Sequence, residues 1–394
     1  MPFTRRQYIQ AFAAYLAASP LARAQRDLPY TGERMPSLEE LVNVFEFEPV
    51  CKARLPQQNY DFIAGGVDNE WSVRHNREAF DKITFRPRMM VDTSGMDLSL
   101  DLFGSKLSCP ILIAPTAGHG LATPEGEFAT ARAAAKVQTV MALSTNASQQ
   151  LEKVAAASSF PKWYQLYPGP DLEGTYERTY RAMGAGFKAI VLTVDGPYGS
   201  HRERLSRDRI RVAVPSGLGA RTAKRRQRPD DEEPVKPPPY GLSPALMNRL
   251  DWRFFDDLKK RCNVPVLIKG ILTAEDAELA RQHGADGIVC SNHGGRYLEY
   301  APATIEVLPE IVGAAGNVPV LVDSGFRRGT DVLKALAIGA KAVLVGRPVL
   351  WGLGAYGEAG AVRVLELMRT ELALAMGLCG KPNLASINRT LVKF

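Results

Sequence analysis

Residues 284–296 read Gly284-Ala285-Asp286-Gly287-Ile288-Val289-Cys290-Ser291-Asn292-His293-Gly294-Gly295-Arg296. Glycine takes the left-handed conformation that ends a helix without steric cost. A short apolar run bounded by such breakers reads as a buried strand. The stretch therefore predicts a helix end, a strand over 287–290, and a loop carrying a base, His293, beside a cation, Arg296. Taken alone, that histidine is as readily a satisfied structural residue as a catalytic one.

The same grammar recurs from residue 110 onward. Short β-branched runs fall at Pro110–Ala114, Thr139–Leu143, Lys162–Leu166, Ala189–Val194, Pro265–Ile268, Gly287–Cys290, Pro319–Val322 and Ala342–Val345, with helix-length amphipathic stretches between them. Gly184-Ala185-Gly186 and Gly339-Ala340 end helices as Gly284 does. Ser148 is read as the cap of a helix over 149–157, Thr273 as that of 274–282 with Asp276 at the capping-box position, and Thr330 as that of 331–338. Eight such units close a barrel, whereas open doubly wound sheets typically stop at about five or six strands. The predicted fold is α/β: a (β/α)8 TIM barrel with a short N-terminal helical segment and a long loop after strand four.

Each run ends in something polar or special: Pro115-Thr116, Ser144, Tyr167 after Gln165, Asp195 after Thr193, Lys269, Ser291 to His293, Asp323, and Gly346-Arg347. In a barrel these ends converge on the C-terminal mouth, where such folds keep their active sites. The last two loops, Asp323-Ser324-Gly325-Phe326-Arg327-Arg328-Gly329 and Gly346-Arg347-Pro348, combine glycines that admit a phosphate with a cation, Arg327 or Arg347, that neutralises it. A phosphorylated cofactor or substrate is predicted there.

The remaining composition narrows the class. A chain of 394 residues with 45% hydrophobic content is globular, and its charge of +7 is spread along the sequence without a nucleic-acid motif. No nucleic-acid partner is expected. Five scattered cysteines, Cys51, Cys109, Cys262, Cys290 and Cys379, contain no CxxC pair and indicate neither a disulfide framework nor a zinc site. Thr4-Arg5-Arg6-Gln7-Tyr8-Ile9-Gln10, an Ala-rich stretch and Ala22-Arg23-Ala24 resemble a twin-arginine export signal over 1–24, ahead of a single barrel domain over 25–394. That predicts a periplasmic or exported protein; an amphipathic N-terminal helix on a cytoplasmic protein is the alternative. The connection from Gly196 to Val264 holds Lys224-Arg225-Arg226-Gln227-Arg228, an acidic stretch and three prolines. It reads as a solvated loop, with a lid or a peripheral contact to an anionic membrane as the other readings.

Ala114-Pro115-Thr116-Ala117, Gln165-Leu166-Tyr167, Leu192-Thr193-Val194-Asp195, Leu267-Ile268-Lys269-Gly270, Ser291 to Arg296, Asp323 to Gly329 and Gly346-Arg347-Pro348, in this order, resemble the FMN-dependent α-hydroxy acid oxidase and dehydrogenase family. The resemblance spans roughly residues 38–385. It implies FMN as cofactor and oxidation of a 2-hydroxy acid to the 2-oxo acid. His293 would be the base and Asp195 would steady its imidazolium. Arg202 and Arg296 would grip the substrate carboxylate, and Tyr167 would bond the substrate oxygen. Lys269 would lie at the flavin N1–C2 edge. Ser144, Gln165 and Thr193 would hydrogen-bond the ring, with Ala114 to Thr116 against it, and Ala117, Ser291, Asp323, Gly325, Arg327, Gly346 and Arg347 would complete the cofactor site. The family further implies a tetramer or octamer, and an electron acceptor that is O2, a quinone or a redox protein.

The chain departs from the family pattern in the substrate pocket. Phe62 stands where a tyrosine helps bind the carboxylate, and Tyr60 replaces it only through a shift of register. Tyr297 stands for a glutamine, and Asn146 for the tryptophan of glycolate oxidase. Two alternatives follow: an FMN oxidase of a bulky or peptide-derived hydroxy acid, and an exported flavin-binding protein whose catalysis has decayed.

Overall fold

A computed structural model describes residues 34–169, 171–207 and 250–394. Residues 1–33, with the twin-arginine motif, and 208–249, with the basic and proline-rich runs, lie outside the described residues. Eight parallel strands form a closed barrel: β1 (Ile111–Ile113), β2 (Met141–Ser144), β3 (Lys162–Leu166), β4 (Ile190–Thr193), β5 (Val266–Ile271), β6 (Gly287–Cys290), β7 (Val320–Val322) and β8 (Ala342–Val345). Closure is made by β8 against β1, with Val343 opposite Ile111 and Val345 opposite Ile113.

The eight predicted runs are the eight strands, with trimmed ends. Two strands run past their predicted ends: β2 takes in Ser144, and β5 continues past Ile268 to Ile271, so Lys269 stands inside the strand rather than after it. A bulge between Lys269 and Ile271 accompanies Gly270, whose φ of 113° no other residue adopts readily. Gly186, Gly284 and Gly339 all have positive φ, the conformation expected of glycines that end helices.

Two predicted caps are corrected. Thr273 caps Ala274–Gln282 through the Asp276 N–H, as expected, but Ser148 does not cap the next helix. That helix spans Leu151–Ala156 behind Gln150, because the Ser148 hydroxyl is committed to the buried carboxylate of Glu127 at 2.5 Å. Thr330 lies inside its helix, Gly329–Ile338. There the Asp331 carboxylate reaches back to accept from the backbone N–H groups of Arg327 and Arg328, just ahead of the helix, while Glu371 accepts from the Gly329 N–H that opens its first turn.

Short helices at Phe47–Arg54, Gln57–Ala64 and Trp71–Glu78 precede the barrel, and the first packs on the C-terminal helical segment Arg347–Leu378, which is broken by a kink at Tyr356 and Gly357. A hairpin of Leu100–Leu102 and Ser105–Leu107 plugs the bottom: Leu102 and Leu107 join the inner core, and Phe103 meets Trp163 edge-on at 5.6 Å. No helix among the described residues is long and apolar enough to cross a membrane.

Candidate active site

Alternate residues of a barrel strand face its axis. Leu112, Ala142, Trp163, Val191, Leu267, Val289, Leu321 and Leu344 form one such inward layer. Two residues further along, the same parity brings Ala114, Ser144, Gln165, Thr193, Lys269, Ser291, Asp323 and Gly346 into a second layer nearer the mouth. One more step of two reaches Tyr167, Asp195 and His293. The predicted cofactor and catalytic residues are therefore successive layers of one barrel interior.

Above this floor lies a cavity of about 360 Å³, within the ~300–1,000 Å³ common for small-molecule sites. Ala114, Pro115, Thr116, Ala117, Ser144, Tyr167, Lys269 and His293 line it, as do Asp323, Gly325, Gly346 and the four arginines Arg202, Arg296, Arg327 and Arg347. Gln165, Thr193, Asp195 and Ser291 stand one step behind the lining. Gln165 accepts from Ser144 Oγ at 3.1 Å and donates to Thr193 at 3.0 Å. Ser291 accepts from Lys269 Nζ at 2.8 Å and from the His293 backbone at 3.1 Å.

His293, Gly294 and Gly295 have φ of 57°, 67° and 70°. A left-handed histidine is a strained conformation, and the two glycines continue the turn at no steric cost. The imidazole thereby hangs over the cavity with Nδ1 2.8 Å from Asp195 Oδ1 and Nε2 3.1 Å from the Tyr167 hydroxyl. Nδ1 donates to the carboxylate, which leaves Nε2 as the accepting, basic nitrogen. Burial lowers the His293 pKa, and Asp195 opposes that shift. Burial alone would raise Asp195, yet His293 and Lys269 hold it below the usual carboxylate value. For Lys269, Asp323 at 3.4 Å and Asp195 at 3.9 Å overcome burial and raise the pKa. Burial pushes the Tyr167 phenol far up, so it stays protonated.

The four lining arginines form no ion pair among the described residues, in contrast to Lys269. Burial brings Arg327 down to about 9 and Arg347 to about 10, so both remain charged at neutral pH without a carboxylate partner. Arg327 lies 4.5 Å over the Trp351 ring. Arg347 spends part of its fork on backbone oxygens, those of Gly294 at 2.8 Å and Gly65 at 2.9 Å, so it ties the N-terminal turn to the β6 loop as well as lining the cavity. Arg296 and Arg347 both donate to the backbone oxygens of Ile63 and Gly65, so these two guanidiniums are neighbours, and with Arg202 and Arg327 they make the cavity an anion receptor.

Comparison with known proteins agrees. The FMN-dependent dehydrogenase family matches residues 51–394. The chain belongs to this family. Glycolate oxidase of Spinacia oleracea is 44% identical over 356 residues, 89% of this chain and 95% of that protein. A peroxisomal (S)-2-hydroxy-acid oxidase of Oryza sativa subsp. japonica is 44% identical over 353 residues, with 89% and 95% covered. The crystal structure of mandelate oxidase with benzoyl-formic acid shares 37% identity at a TM-score of 0.78, covering 90% of this chain and 99% of that one. The cofactor of the FMN-dependent dehydrogenases is accommodated by the residues present. The small wall of Ala114 to Ala117 suits a planar ring, and Arg327, charged and with no carboxylate partner among the described residues, suits a phosphate. Gly346 packs close against that wall, where a Cβ would come within 3.1 Å of the Thr116 methyl.

Some features were not legible in the sequence. Ser324, at φ 76°, donates to Asp323 at 2.7 Å and accepts from the Gly294 N–H at 3.0 Å, joining the β6 and β7 loops. Arg204 bonds Glu70 at 2.5 Å and approaches Asp61 at 3.5 Å, anchoring the segment that carries Arg202. Phe62 lines the cavity as aligned, with the Arg296 and Arg202 guanidiniums 5.3 and 5.8 Å from its ring centre. Tyr60 does not replace it: its hydroxyl donates to Glu48 at 3.0 Å, in the N-terminal helices.

Proposed function

We infer that this site oxidises a 2-hydroxy acid to the 2-oxo acid, with His293 as the base. When bound, FMN supplies the acceptor for the substrate's two electrons. The observation that carries the reading is His293, held between Asp195 and Tyr167 beside two arginines that have no carboxylate partner among the described residues. Nε2 takes the substrate proton, and Asp195 stabilises the imidazolium that results. Arg202 and Arg296 bind the carboxylate, and Tyr167 donates to the substrate oxygen. Ser144, Gln165, Thr193, Ser291 and Lys269 hold the ring against Ala114 to Ala117, while Asp323, Gly325, Arg327, Gly346 and Arg347 serve the phosphate end. An intact base, partner carboxylate and clamp argue against decayed catalysis.

The test is anaerobic. The purified protein is mixed with glycolate, lactate, mandelate and bulkier 2-hydroxy acids while the flavin absorbance is followed. Bleaching by one of them supports the reading, and an FMN-loaded protein that none bleaches overturns it. Re-oxidation by O2, by a quinone analogue or by neither then sorts the acceptors. Arg5-Arg6 and Ala22-Arg23-Ala24 support export of the folded flavoprotein. Replacing both arginines by lysine should then leave the precursor in the cytoplasm.

A further inference from the structure

The carboxylate clamp has an apolar wall and an incomplete set of donors. A carboxylate offers roughly four acceptor positions. Arg296 commits Nη1 to the backbone oxygens of Phe62 at 3.0 Å, Ile63 at 3.3 Å and Gly65 at 3.0 Å, which leaves the Nη2–Nε side for a ligand. Arg202 commits Nε to Ser200 at 2.9 Å. Phe62, which faces both guanidiniums, has nothing to donate.

A phenol closes the opposite side. The ring of Tyr297 stands edge-on to His293, 4.6 Å between centres at 82°, and lines the same cavity. It packs into the space left by Gly196, where a Cβ would come within 2.7 Å of Cζ and 3.0 Å of the hydroxyl oxygen. A glycine directly after Asp195 is thus what admits the phenol. The Tyr297 phenol lines the cavity beside Tyr167, and Tyr167 in turn faces His293 Nε2. Tyr297, Arg202 and Arg296 line the same cavity.

We propose that Tyr297 is a substrate-binding residue, whose hydroxyl donates to the carboxylate held by Arg202 and Arg296 and supplies the donor that Phe62 lacks. The inference rests on the 2-hydroxy acid reading of the site. When the carboxylate arrives, the Tyr297 hydroxyl donates to it, and Tyr167 is left to serve the substrate oxygen beside His293. The site thereby selects 2-hydroxy acids with a free, ionised carboxylate over their esters and amides.

The experiment compares the FMN-loaded wild type with Tyr297→Phe, which keeps the ring against Gly196 and His293 and removes only the hydroxyl. Pyruvate and phenylglyoxylate, which have no hydrogen on C2 to lose, are titrated while the flavin absorbance is followed. KM and the maximal bleaching rate are measured with the corresponding hydroxy acids. The expected result is an unchanged FMN content and a Kd and KM raised about ten- to a hundredfold, with a much smaller change in maximal rate. A Kd within threefold of wild type overturns the role of Tyr297, while bleaching of the wild type leaves the functional reading intact. A wild type that no 2-hydroxy acid bleaches overturns both.

Discussion

Asp195 stands between His293 and Lys269: one carboxylate oxygen lies 2.8 Å from His293 Nδ1, and the other lies 3.9 Å from Lys269 Nζ with no hydrogen bond of its own. A single carboxylate, on the loop after β4, therefore serves a group on β5 and a group on the β6 loop. Its removal should be felt at both. Asp195→Asn is expected to slow anaerobic flavin bleaching by at least about a hundredfold while FMN stays bound, because the imidazolium loses its partner. His293→Ala should abolish bleaching outright, and stopped-flow absorbance measures both.

The pH profile has a defined sign. A base acts only while neutral, and burial lowers the His293 pKa from its ordinary value near 6.5. The acid limb of kcat/KM for bleaching should thus lie below pH ~6.5, with the rate falling as pH falls through it. In Asp195→Asn the opposing influence is gone, so the limb should move lower still. A limb above pH 7 in the wild type contradicts the assignment.

Lys269→Met removes the cation that Asp323 and Asp195 share. Breaking a buried pair by deleting one partner costs about 3–5 kcal/mol, and denaturant unfolding at neutral pH should show a loss of that order. The orphaned carboxylates then favour protonation in the fold. The deficit should therefore be largest at high pH and shrink as pH is lowered.

Arg327→Met should weaken FMN binding about ten- to a hundredfold, since a charge-assisted contact to phosphate is lost. Riboflavin, which has no phosphate, should bind both forms alike. Fluorescence titration of the apoprotein measures the two ligands separately.

Gly325→Ala tests the loop beside it. The backbone there has φ 85°, and a Cβ would lie 2.1 Å from the Asn76 carbonyl oxygen. Strain alone costs ~1–3 kcal/mol, so the variant should melt earlier and retain less FMN, as read by thermal unfolding and the flavin-to-protein absorbance ratio.

The barrel was legible because each βα unit carries its own punctuation. Gly284 to Cys290 holds a helix end and a strand in seven consecutive residues, and the pattern needs only local chemistry to read. The polar strand ends were legible for the same reason: period two in a strand puts Lys269 on the face of Leu267 and Asp323 on that of Leu321. The cap at Ser148 was misread because its hydroxyl answers to Glu127, 21 residues earlier. Ser324, Arg204 and the phenol of Tyr297 were beyond local reading, since each acts through a partner on another loop.

The sequence by itself determined the eight strands, their inward faces and the kinds of group that reach the mouth, because periodicity and glycine conformation act over a few residues. Only the tertiary structure decided which of those groups meet. Asp195 and His293 are 98 residues apart, and Phe62 and Arg296 are 234 apart. Pairing of β4 and β6 on either side of β5 brings the first two together, and packing of the N-terminal helix Gln57–Ala64 at the mouth brings the second pair within hydrogen-bonding range. Distance in water-excluded space decides whether a carboxylate steadies an imidazole or a guanidinium stays free for a substrate, and no local pattern encodes that distance.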